Sequence, residues 1–338
     1  MSVLKIIRKP DDFHCHLRDG NMLECVIGFT ARQFKRAVVM PNLKPPILTA
    51  RDAAKYRAAI IGYRPNGFEP LMTIQITDCT TPAMVHEAAD SGVVAGKVYP
   101  FGVTTNSQNG VSDFSRLRPI WQEMENLGML VLFHGEDPSP EAVCLHREKL
   151  FLPTLFGIAS GFPGLKIVLE HITTRDAVEF VARLPENVAA TITAHHLLLT
   201  IDDVIGELIQ PHNFCKPIAK LPDDRKALLE AATSGNPKFF FGSDSAPHFI
   251  ENKECGQGCA GVFSAPVALP LLAQIFEQQG MLEKLEDFVS VFGARFYGLP
   301  RNTETIKLAR EDWQAAHVCN GVVVPFLAGK ILHWRVAD

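Results

Sequence analysis

Lys166-Ile167-Val168-Leu169-Glu170-His171-Ile172-Thr173-Thr174-Arg175-Asp176-Ala177-Val178-Glu179-Phe180-Val181 holds one complete folding unit. Its first five residues form a short β-rich apolar run that ends in charge. Such a run suits a strand covered on both faces, as in a parallel sheet. Thr174 then stands where a helix N-cap belongs, and residues 174–181 follow with helical spacing.

The same unit recurs along the chain. Strand candidates are Arg36–Met40, Leu71–Ile76, Val93–Tyr99, Met129–Phe133, Lys166–Glu170, Val188–Thr193 and Lys238–Gly242. An N-terminal strand leading into His14 makes eight. Helix candidates lie between them: Thr49–Ile60 opens on a threonine cap, and Thr81–Ala89 has proline in its first turn. Eight strand-then-helix repeats predict a (β/α)8 barrel, also called a TIM barrel. A doubly wound sheet is the weaker alternative, because no G-x-G-x-x-G follows a strand. The tail from about residue 265 reads as the last barrel helix plus a short C-terminal extension ending in Val324-Pro325-Phe326-Leu327-Ala328-Gly329. No proline-, glycine- or serine-rich linker interrupts the chain, so residues 1–338 are expected to form one barrel domain.

Composition narrows the class. Hydrophobic residues make up 47% of 338, enough for a large core and against disorder. The net charge is −4 and no basic tract appears, which argues against nucleic acid as partner. No apolar run reaches the roughly 18 residues of a membrane span. The N-terminus has no long apolar segment of the signal-peptide kind, so a cytoplasmic protein is expected. The eight cysteines then read as reduced thiols. None form a C-x-x-C pair, and the close pair Cys255 and Cys259 sits in a glycine-rich loop.

In a (β/α)8 barrel the chemistry lies at the C-terminal ends of the strands. The first strand ends at Asp12-Phe13-His14-Cys15-His16-Leu17-Arg18. Two histidines at i and i+2 on extended backbone share a side, and Arg18 falls on that side too. Imidazole is a common metal ligand, and a guanidinium forks onto a carboxylate. The second strand ends at Met40-Pro41-Asn42, and the fourth carries Lys97. The fifth ends at His134-Gly135-Glu136, the sixth at Glu170-His171, and the eighth at Gly242-Ser243-Asp244-Ser245-Ala246-Pro247-His248. Each residue alone has an ordinary structural explanation: a loop histidine, a snorkelling lysine, a turn-capping aspartate. Their convergence on one mouth points to a metal-dependent enzyme acting on a small acid. His195 and His196 follow the seventh strand and are read as supporting or structural. Tyr99 and Trp121 are read as core, and His86, His146, His317 and His333 as surface or packing residues.

His14-Cys15-His16-Leu17-Arg18-Asp19-Gly20 resembles the opening signature of the dihydroorotases, within the amidohydrolase superfamily. Met40-Pro41-Asn42, Gly96-Lys97-Val98-Tyr99-Pro100, Gly242–His248, Gly258-Cys259-Ala260-Gly261 and Val324–Gly329 are similar to that family's later blocks. The resemblance spans essentially the whole chain and is to the shorter bacterial type. Consistent with that type, His14 comes too early to leave room for the N-terminal half of the small β-sandwich found in many superfamily members. The resemblance implies two Zn2+ ions per chain, bridged by an N6-carboxylated Lys97 and a hydroxide. His14, His16 and Asp244 would hold one ion, and His134 and His171 the other. Asp244 would also move the catalytic proton. Arg18 and Asn42 would take the substrate carboxylate, helped by His248 and the backbone at Ala260. His16 and His134 would also touch substrate. Residues Phe101–Ser107 look like a mobile loop whose Thr104 and Thr105 contact substrate. Lys216 departs from the family, which more often has an apolar residue there and makes its contact through backbone.

The implied reaction interconverts (S)-dihydroorotate and N-carbamoyl-L-aspartate, the third step of pyrimidine synthesis, in a homodimer. Two rivals stand beside it. One is a related cyclic amidase such as a hydantoinase or allantoinase, whose substrates lack the free carboxylate that Arg18 and Asn42 favour. The other is an inactive relative serving as an assembly scaffold.

Overall fold

The computed structural model of the protein describes residues 4–63, 67–104 and 107–337. Its strands are β1 (Leu4–Arg8), β2 (Asp11–Cys15), β3 (Arg36–Val39), β4 (Glu69–Ile76), β5 (Ala95–Val98), β6 (Leu130–His134), β7 (Ile167–Glu170), β8 (Val188–Ile192), β9 (Phe239–Phe241), β10 (Thr305–Gln314) and β11 (Ile331–Val336). Strands β2 to β9 lie side by side in sequence order, and each neighbouring pair is parallel. Every residue of β3 and of β5 to β9 is buried, which is why these strands read as nearly continuous apolar runs, broken by Arg36, Lys97, His134 and Glu170.

The threonine caps act as the sequence predicts. Thr81 Oγ1 accepts from Met84 N ahead of the helix Pro82–Asp90, and Thr174 Oγ1 accepts from Ala177 N ahead of Arg175–Arg183. Thr49 and Asp52 exchange side-chain-to-backbone bonds at the start of Ala50–Tyr63, a capping box.

The barrel closes between β9 and β2. Asp244 N donates to His14 O at 2.8 Å and His16 N to Ser245 O at 3.0 Å. Buried Asp12 reinforces the seam by accepting from His14 N, Ser243 N and Ser243 Oγ. Burial raises the Asp12 carboxyl to about 6 even against those three hydrogen bonds. The barrel interior is filled by Phe13, Val38, Leu71, Ala95, Leu130, Val168 and Phe240. A helical segment carrying Phe292, Ala294 and Tyr297 plugs its floor. Gly293 lets that segment approach, since a Cβ there would meet the Phe13 ring at 2.2 Å.

The tail differs from the sequence expectation. After the helix Ala268–Gln278 and the floor segment, the chain forms β10 and β11, which join β1 in a three-stranded antiparallel sheet outside the barrel. The space before His14 therefore does hold one strand of a small second sheet. Strand β10, Thr-Ile-Lys-Leu-Ala-Arg-Glu-Asp-Trp-Gln, is covered on one face only, so its charges mask it as a strand. Among the described residues no helix is long and apolar enough to cross a membrane.

Candidate active site

Each strand end delivers one or two polar side chains to the same mouth. β2 supplies His14 and, just past its end, His16 and Arg18. β5 supplies Lys97, β6 ends on His134, and β7 ends on Glu170 with His171 next; Asn42 and Asp244 follow β3 and β9. Among the described residues, five non-glycine residues have positive φ, and three of them are Arg18 (58°), His171 (43°) and Asp244 (41°). Such conformations cost energy, and their clustering at one mouth marks a site whose aim is imposed by the surrounding fold.

His14, His16 and Asp244 form a tight triangle. His14 Nε2 lies 3.2 Å from His16 Nε2, and Asp244 Oδ1 lies 3.3 Å and 3.1 Å from those two nitrogens. His16 Nδ1 is 2.8 Å from Asn42 Oδ1. That oxygen is an acceptor, so Nδ1 carries the proton and Nε2 presents its lone pair to the triangle. Burial pushes the His14 imidazole down and the His16 imidazole to about 3, so both are neutral at physiological pH. Burial alone would raise the Asp244 carboxyl, but its contacts with His14 and His16 outweigh that and hold it well below the usual carboxylate range. A proton on His14 Nε2 can bridge this triangle, and a cation placed among the three atoms would be met by all of them as ligands. Ligands about 2.0–2.1 Å from a tetrahedral zinc sit about 3.3 Å apart, which matches the triangle.

The second cluster adjoins it. The His171 ring centroid lies 4.8 Å from those of His14 and His134. His171 Nδ1 is buried without a partner, and burial drives the imidazole well below its ordinary value. His134 Nε2 is 2.8 Å from Glu136 Oε2, which leaves Nδ1 as its other donor atom. Lys97 is fully buried 4.7 Å from the Tyr99 ring centroid and pairs with Glu170. Burial pushes its amine well below the usual lysine range, which favours the neutral form. Glu170 Oε1 also lies 2.8 Å from His14 Nδ1, off the line of a hydrogen bond.

A small cavity of about 20 Å3 opens beside these groups, lined by His16, Arg18, Asn42, Thr104, His134, His171, Lys216, Asp244 and Ala260 among others. Arg18 Nε donates to Pro247 O at 3.0 Å, and its Nη2 lies 3.1 Å from His248 Nε2, itself 3.0 Å from Ala260 O. Burial, reinforced by the Arg18 charge, lowers His248 to about 3 and keeps it neutral. Lys216 lines the cavity but its Nζ donates to Val103 O at 2.7 Å, so its ammonium ties down the loop bearing Thr104. Thr105 lies outside the described residues.

Four further residues bear on the site without a role in the sequence reading. Glu170 and Glu136 touch His14, Lys97 and His134. Tyr99, read as core, is buried yet lines the cavity. Asp12 braces the seam. One signal was available for Glu170: it is a carboxylate inside a buried strand, paired in register with His134. His196 lies 2.9 Å from Thr193 Oγ1 and 3.0 Å from Pro217 O, and with His195 and Cys215 it forms a separate buried cluster. Two roomier clefts, about 520 Å3 beside the tail sheet and about 710 Å3 at the barrel floor, hold no comparable set.

No family model matches the chain. Curated relatives do: the dihydroorotase of Nitrosomonas europaea is 48% identical over 338 residues, covering 97% of each chain. Among solved structures, dihydroorotase of Saccharomyces cerevisiae in complex with 5-fluoroorotic acid superposes with a TM-score of 0.93 at 40% identity, covering 99% of this chain and 98% of that one. The Campylobacter jejuni dihydroorotase gives 0.93 at 41% identity, covering 100% and 98%. With this identity sustained from end to end, the chain belongs to the dihydroorotase family, hydrolases that act on a cyclic amide in pyrimidine biosynthesis.

Proposed function

We propose that the protein interconverts (S)-dihydroorotate and N-carbamoyl-L-aspartate with the help of two zinc ions. The observation that carries this reading is the triangle of His14 Nε2, His16 Nε2 and Asp244 Oδ1, 3.1–3.3 Å apart, beside Arg18. His14, His16 and Asp244 would hold one ion, and His134 and His171 the other. Lys97 would bridge them as its carbamate, which forms when the neutral Nζ attacks the carbon of CO2 and loses a proton. When bound, such a pair supplies a nucleophilic hydroxide at neutral pH and polarises the ring carbonyl.

The chain's own groups do the rest. Asp244, held ionised, takes the proton of the attacking water on its carboxylate and delivers it to the leaving ring nitrogen. Arg18 forks onto the substrate carboxylate and fixes the ring against the metal side. Neutral His248 and the Ala260 backbone complete that anion end, with Asn42 at its edge. Thr104 closes from the loop that Lys216 tethers. The yeast relative's complex with a ring carboxylic acid supports a ligand of this class. A homodimer, implied by the same family resemblance, is part of this reading.

The test follows ultraviolet loss of dihydroorotate. Chelator should abolish turnover and zinc should restore it. Asp244→Asn should lower kcat by about 10²–10⁴-fold with unchanged circular dichroism. Faster turnover of 5,6-dihydrouracil, or no turnover with two zinc ions bound, would overturn the assignment.

A further inference from the structure

Lys253 ends the short helix Ile250–Lys253 and is buried, 3% exposed. Its Nζ donates to Phe214 O at 3.1 Å, Cys259 O at 2.9 Å and Gly261 O at 2.7 Å. An ammonium has three protons, and here all three go to backbone carbonyls rather than to a carboxylate. The acceptors belong to two loops far apart in sequence. One runs through Phe214 to Lys216; the other brackets Ala260. Gly261 N also donates to Phe214 O at 2.9 Å, so the two loops meet at the lysine. Lys216, Ala260 and Gly261 all line the cavity.

The geometry has a directional consequence. In a trans peptide C=O and N–H point opposite ways. Cys259 O faces Lys253, so the Ala260 N–H of the same peptide points away from it. That N–H makes no hydrogen bond among the described residues. Among the described residues no carboxylate pairs with Lys253, and its charge acts on the neighbourhood: together with Arg18 it helps hold His248 neutral. Burying a bare ammonium is costly unless it is fully hydrogen-bonded. A lysine kept there therefore argues for a task that an apolar residue would not do.

We propose that Lys253 is a positioning residue for an anionic substrate: its ammonium clamps the two loops walling the Arg18 end of the cavity and aims the Ala260 N–H, while its charge favours a carboxylate. The substrate part rests on the proposed function; the clamp does not. The experiment compares wild type with Lys253→Met and Lys253→Arg. Lys253→Met should raise KM for dihydroorotate by roughly ten- to hundredfold, with kcat and zinc content nearly unchanged and partial recovery in Lys253→Arg. Amide hydrogen exchange at Gly261, whose N–H is bonded to Phe214 O across the two loops, should also accelerate in Lys253→Met. An unchanged KM, or a fall in kcat that tracks lost zinc, would overturn the substrate role. Unchanged exchange would overturn the clamp, and this readout holds even if the wild type proves inactive on dihydroorotate, the outcome that defeats the proposed function instead. If Lys253→Met does not fold, Gly258→Ala displaces the same loop, because its Cβ would meet Lys253 O at 2.6 Å. The same rise in KM is then expected, and its absence counts against the proposal.

Discussion

Asn42 brings no charge to the site, yet it decides which nitrogen of His16 faces the triangle. Its Oδ1 holds the Nδ1 proton at 2.8 Å and so leaves the Nε2 lone pair beside Asp244. Partners of this kind fix the tautomer of a ligating imidazole. If His14, His16 and Asp244 hold zinc as proposed, Asn42→Ala should weaken that binding by about 10–100-fold, measured by competition with a chromogenic chelator. A change in KM alone would confine Asn42 to the substrate carboxylate. The positive φ of Arg18, His171 and Asp244 belongs to the same economy of aim. Each holds a side chain in a direction that relaxed backbone would not give it.

At the scale of elements, the strands carry the chemistry and the helices only hold them. Helices Pro82–Asp90 and Arg118–Leu127 are joined at the surface by His86, whose Nδ1 lies 2.9 Å from Glu123 Oε1. That contact, with help from Asp90, raises the imidazole above its ordinary 6.5. A histidine whose folded pKa is raised stabilises the fold fully below the unfolded value, and the gain disappears as pH climbs through the folded value. Wild type should thus melt above His86→Ala at pH 5.5, and the difference should vanish by pH 8. The gap will be small, since solvent screens an exposed pair. A gap that widens with pH would show that the charge has no part in it.

For the whole molecule, the seam that closes the barrel is also the corner that carries the candidate metal ligands. Asp244 N to His14 O is at once a closing hydrogen bond and a link between two candidate ligands. The tail sheet braces the barrel from outside. Trp334 on β11 is fully buried, packs toward Ala268–Gln278, and donates from Nε1 to Glu277 Oε2 at 3.1 Å. Trp334→Ala should cost about 3–5 kcal/mol and lower the melting temperature in a single transition. Two separate transitions would show the sheet to be an independent unit.

Much of this was legible in the chain itself. Parallel strands covered on both faces are mostly apolar, so seven of the eight barrel strands announce themselves as short runs, and threonine caps mark several of the helices after them. Because barrel chemistry gathers at strand C-termini, the convergence of His14, His16, Lys97, His134, His171 and Asp244 on one mouth could be read from their positions. Other features were decided only by folding. Strand β10 finds β1 some 300 residues away, a pairing that no local pattern encodes. Glu170 gains its neighbours His14 and Lys97, Asn42 reaches His16, and Lys253 meets three carbonyls only once the loops are assembled. Residue type and spacing prescribe which groups a strand end presents. Which groups then touch is a property of closure, because the partners come from distant segments and meet only in the packed barrel.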